Sequence, residues 1–109
     1  MTYRLVLALA LAAPLAACDD STGITAADIA CPTTQTLTYA NFGQAMIQTK
    51  CLDCHTTRER PYLDTQARVM ANANKIIDEA VYHSAMPEDG SMTNDERIQL
   101  GQWLTCGAP

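Results

Sequence analysis

The chain has 109 residues, twelve acidic against seven basic side chains, a formal charge of −5 at neutral pH, and 48% hydrophobic residues. A chain of this length holds one small domain, and its acidic balance argues against a nucleic-acid partner, which would require clustered basic charge. Five cysteines in so short a sequence are the anomaly that the reading must explain.

In chain order, the first element is an apolar, alanine- and leucine-rich run from Leu5 to Ala17, preceded by Arg4 and ending in small residues. This is the layout of an export signal, and at thirteen residues the run is too short to span a membrane comfortably. Its end, Leu15-Ala16-Ala17-Cys18, resembles the lipobox of bacterial lipoproteins. That resemblance implies cleavage before Cys18, acylation of Cys18, and a periplasmic domain held to the membrane by lipid. Asp19 directly after it resembles a signal for retention at the inner membrane. The alternative is an ordinary signal peptide with cleavage nearby. Cleavage before Cys18 removes residues 1–17 and leaves 92, with six basic and twelve acidic side chains, a formal −6.

Residues 18–36 are rich in Asp, Ser, Thr, Ala and Gly without sustained periodicity, and read as a lipid-anchored flexible tether. Between Cys18 and Cys31 it would reach roughly 40 to 45 Å when extended. The domain proper is assigned to residues 37–109. Thr38 is the expected N-cap of a first helix, in which Phe42, Gly43, Met46 and Ile47 share one face. Gly43 inside a helix costs about 1 kcal/mol unless close approach requires it.

That helix leads into Cys51-Leu52-Asp53-Cys54-His55. Two thiols and an imidazole at this spacing form the attachment site of a c-type haem. Each thiol adds across one porphyrin vinyl group, and His55, next in the chain, becomes the proximal iron ligand. A thioredoxin-like dithiol or half of a zinc site would use the same cysteines. The sequence has neither a βαβ pattern nor a second ligand pair at finger spacing.

A second helix is predicted from Asp64 or Thr65, with Val69, Met70, Ala73, Ile76, Ile77, Ala80 and Val81 on its buried stripe. A third opens with the capping box Thr93-Asn94-Asp95-Glu96, carries Leu100, Trp103 and Leu104 inward, and stops at Gly107. No run argues for a strand. With Cys18 assigned to lipid and Cys51 and Cys54 to haem, Cys31 and Cys106 remain, and an exported chain permits them to form a disulfide. Two free thiols are the alternative.

Over Thr38 to Pro109 these features resemble the class I c-type cytochromes. The resemblance rests on Gly43-x-x-x-Ile47-x-x-x-Cys51, on Cys51-x-x-Cys54-His55, on Met86-Pro87 after the middle helix, and on Trp103 in the terminal helix. It implies an all-α, cytochrome c-like domain of about three main helices around one covalently attached haem c. It also implies that Gly43 lets the first and last helices cross closely under Trp103, and that Met86 is the sixth iron ligand. His83 and Met92 compete for that position. Two departures from the family are the short interval between His55 and Met86 and the absence of a Gly-Pro pair soon after the haem motif; Pro61 is the residue available to orient His55.

The function this implies is a monohaem one-electron carrier with His55/Met86 ligation. It would work with redox partner proteins and have no small-molecule substrate. Lys50, Arg58, Arg60 and Arg68 are available for haem propionates or for docking, or are scattered surface charge. If Met86 does not bind, the open iron site implies a gas sensor or a peroxidase-like enzyme instead. No distal His/Arg pair for peroxidase chemistry is evident in the sequence.

Overall fold

A computed structural model describes residues 20–109, and the described residues are helical with no strand. The signal-peptide and lipidation assignments at residues 1–17 and Cys18 lie outside them. Among the described residues no helix is long and apolar enough to cross a membrane.

The first helical stretch begins as a π-helical segment, Tyr39–Gly43, and continues as α1, Gln44–Lys50. Thr38 caps it as expected: its hydroxyl accepts from Asn41 N–H, and the Asn41 side chain accepts from Thr38 N–H. The predicted second helix is divided. Thr65 caps α2, Gln66–Ala71, and after Asn72 come α3, Ala73–Ile76, and a π-helical segment, Ile77–Tyr82. Asn72 explains the break, because its side-chain amide donates to Arg68 C=O at 2.8 Å and its φ/ψ of −111/13 leaves the α region.

The break also corrects the predicted stripe. Val69, Ile76, Ala80 and Val81 are buried and Ala73 and Ile77 partly so, but Met70 is 50% exposed. The short α2 turns Val69 inward, and its neighbour, about 100° further round the helix, faces solvent.

Helix α4, Asn94–Thr105, carries the expected capping box: Glu96 N–H donates to the Thr93 hydroxyl, and Thr93 N–H to the Glu96 carboxylate. It ends in a Schellman arrangement, with Gly107 N–H on Leu104 C=O and Ala108 N–H on Trp103 C=O. Gly107 has φ +92, a conformation in which a side chain is strained.

The core lies where α4 meets the first helical stretch and the Ile77–Tyr82 segment. Leu100 and Trp103 are fully buried, and Ile47, Val81 and Leu104 pack around them. Tyr39 stacks on the Trp103 ring and Phe42 meets it edge-on, with centroid distances of 6.4 and 6.0 Å. Gly43 lies directly against the same ring, so close that a Cβ there would overlap it. Alanine at Gly43 gains about 1 kcal/mol of helix propensity. Overpacking against a ring already held by Tyr39 and Phe42 costs about 1 to 3 kcal/mol and outweighs that gain. Gly43→Ala is therefore expected to lower the urea unfolding midpoint.

Residues 20–36, read from sequence as part of a tether, lie against the helical domain. Thr22 N–H donates to Tyr82 C=O, Ser84 N–H to Asp20 C=O, and Gln102 to Asp28 C=O. Ile29 is buried, its side chain occupying the space left by Gly101 on α4. Cys31 and Cys106 form the expected disulfide across 75 residues of sequence. Loop entropy alone assigns such a crosslink about 4 kcal/mol, an upper figure. The segment looks like a tether in sequence because the contacts that pack it onto the domain are distant in the chain and leave no local period.

Candidate haem-attachment site

The motif sits where α1 ends. Cys51 is the C-cap, its N–H still bonded to Ile47 C=O, and its own carbonyl accepts from Cys54 and His55 N–H at 3.3 and 3.0 Å. The chain thus folds back within one turn and brings both thiols and the imidazole to the same end of the helix. Further bonds fix the loop: Glu59 N–H to Cys54 C=O, Leu63 N–H to His55 C=O, and the Thr56 hydroxyl to Leu52 C=O.

His55 is half-buried, and its Nδ1 lies 2.9 Å from Pro61 C=O. A carbonyl oxygen can only accept, so Nδ1 carries the proton. In the neutral ring the lone pair is then on Nε2, the nitrogen that could accept a proton or take a metal. Pro61 therefore supplies the orienting backbone group.

Cys51 and Cys54 are the cysteines without a disulfide among the described residues. Burial pushes the Cys51 thiol up to about 11, so it is a neutral S–H at physiological pH. A redox dithiol or a zinc thiolate needs the opposite shift.

Two adjoining cavities of about 260 and 230 Å3 open beside the motif and share Lys50, Cys51, His55, Glu59, Met86 and Pro87. The first extends over the apolar side chains of Leu63, Ile76, Ala80 and Met92; the second includes Cys54. Cys51, Cys54 and His55, assigned from sequence as one motif, and Met86, assigned from the Met86-Pro87 pair, thus line one cleft. Met86 reaches it from the turn after the Ile77–Tyr82 segment, with its N–H donating to Glu79 C=O at 3.0 Å.

No protein-family model matches the chain, nor does any curated protein or solved structure. The site must therefore be read from its own chemistry.

The rivals to Met86 separate in position. His83 lines neither cavity; its Nδ1 lies 2.9 Å from Asp78 C=O, and its side chain is 43% exposed. That carbonyl, helped by the Asp20, Asp78 and Glu79 carboxylates, holds the imidazole pKa above its ordinary value. Met92 does line the larger cavity, but as a buried member of the core.

The basic residues divide as well. Lys50 and Arg60 border the cleft, Lys50 tied to Ser91 C=O at 2.8 Å and to Glu96 at 3.5 Å. Arg58 pairs with Asp53 and Arg68 with Asp64, and neither borders the larger cavity. Lys75 and Glu79, unmarked in the sequence, also line the larger cavity. Arg97 was also missed. It is buried at 3% exposure, with Nη1 donating to Ala80 C=O at 2.6 Å and Met86 C=O at 2.8 Å. In sequence it is one more charged residue near the start of a helix, and the carbonyls it serves lie 11 and 17 residues away.

Proposed function

We propose that this chain is a monohaem c-type cytochrome, of the kind that class I cytochromes c exemplify, and that it carries single electrons rather than catalysing a reaction on a substrate. The observation that carries this reading is the convergence of Cys51, Cys54, His55 and Met86 on one apolar-backed cleft. Cys51 and Cys54 would hold the haem through thioethers, with His55 Nε2 and Met86 Sδ as its axial ligands. The haem supplies the one-electron iron couple, and a thioether ligand raises its potential relative to imidazole.

The protein's own part is to keep both ligands in place and to exclude water. Pro61 C=O holds the imidazole, Glu79 C=O holds the Met86 backbone, and Leu63, Ile76, Ala80 and Met92 form the dry wall. Partners would be redox proteins of the periplasm or membrane. The experiment that tests the assignment is chemical: a c-type haem remains on the polypeptide when acid and organic solvent remove every non-covalently bound haem.

The lipobox-like sequence supports a lipid anchor at Cys18 on the periplasmic side, with Asp19 favouring the inner membrane. Cys18→Ala is expected to block processing or to release the protein into the soluble periplasmic fraction. Membrane retention of a fully processed Cys18→Ala protein contradicts the anchor.

A further inference from the structure

We propose that Arg97 is a positioning residue for Met86, fixing the backbone from which the thioether reaches the iron. The inference rests on the haem reading above and concerns how the sixth ligand is kept.

Arg97 is the buried charged residue of the described chain, yet no carboxylate lies within ion-pair distance of its guanidinium among the described residues. Its Nη1 instead gathers carbonyls: Ala80 at 2.6 Å, Met86 at 2.8 Å and His83 at 3.5 Å. Ala80 lies within the Ile77–Tyr82 segment, and His83 and Met86 lie in the turn beyond it. Carbonyls at a helix C-terminus carry the partial negative charge that favours a cation, which accounts for a buried guanidinium without an acid. Burying that charge would be costly if those bonds were not made.

The consequence falls on Met86. Its N–H is held by Glu79 C=O and its C=O by Arg97, so both polar groups of that residue's backbone are fixed, the first to its own helical segment and the second to α4. Helix α4 meets the first helical stretch through Trp103 and Gly43, and α1 ends at Cys51. A continuous packed path therefore runs from Met86 through Arg97, α4 and α1 to the haem motif. A neutral thioether is a weak ligand and stays on iron only if it is held there, and outer partners that orient a ligand commonly change affinity about 10- to 100-fold.

The test compares Arg97→Leu and Arg97→Lys with Leu100→Ala, which removes buried volume from the same helix but none of the hydrogen bonds to the Met86 turn. All are measured as holoprotein with covalent haem content and helical circular dichroism recorded. The readouts are the weak red charge-transfer band of a ferric sulfur–iron bond and carbon monoxide binding by the reduced protein. Arg97→Leu should lose the band and bind carbon monoxide about tenfold or more tightly than wild type, at temperatures where its helices are intact. Arg97→Lys, which keeps the charge and one donor, should show a partial loss, and Leu100→Ala should keep the band until global unfolding.

If the leucine variant does not accumulate, nitrogen-15 spectra of the wild-type guanidinium serve in its place. The Arg97 signals should shift when cyanide displaces the thioether, and unchanged signals overturn the proposal. A band unchanged in the Arg97 variants, or lost equally in Leu100→Ala, also overturns it. A wild-type protein with covalent haem but no band refutes Met86 ligation itself, and this inference with it.

Discussion

Replacing Cys51 and Cys54 together by alanine is expected to abolish haem staining of the polypeptide on a denaturing gel, from the one haem per chain proposed above to background. His55 Nε2 and a thioether alone are reversible ligands, and both dissociate when the fold is lost, whereas carbon–sulfur bonds survive denaturation. Cys31 and Cys106 cannot substitute, because they are joined to each other. The raised pKa of Cys51 adds a second expectation. At neutral pH the haem-free wild type should react slowly at Cys51 with thiol reagents, because the reactive thiolate is scarce there.

Met86→Ala is expected to remove the red charge-transfer band, to lower the reduction potential, and to take carbon monoxide binding by the reduced protein from weak to stoichiometric. Removing a thioether opens a coordination position and withdraws the ligand that favours ferrous iron. His83→Ala leaves all three properties as in wild type, since His83 is outside both cavities and its Nδ1 is engaged with Asp78 C=O. Ready carbon monoxide binding by wild type, or a spectrum altered by the His83 change alone, would move the gas-sensor or bis-histidine readings ahead of the electron carrier.

What the sequence made legible was local. The capping residues Thr38, Thr65 and Thr93 announce their helices because the bonds they make span three residues. Cys51, Cys54 and His55 are recognisable because their chemistry sets their spacing. Gly107 marks the end of α4 for the same kind of reason, a backbone angle required at one position.

What stayed hidden depends on partners remote in the chain. Ile29 looks like an isolated apolar residue in a polar stretch until Gly101 makes room for it, and Thr22 finds its acceptor at Tyr82. Met70 fits a long helical stripe that Asn72 interrupts, and the interruption comes from a side-chain bond that competes with the backbone ladder. Arg97 looks like an ordinary surface charge, and only the folded chain brings the carbonyls of Ala80 and Met86 to it.

Covalent haem attachment at Cys51 and Cys54 is tested most directly by acid–acetone extraction of the purified wild-type protein followed by the intact mass of the polypeptide. The colour should stay with the protein and the chain should be heavier by one haem, an increment absent from the Cys51→Ala/Cys54→Ala protein. Colour passing into the organic phase, or a chain at its unmodified mass after expression with a working haem-attachment system, would contradict it.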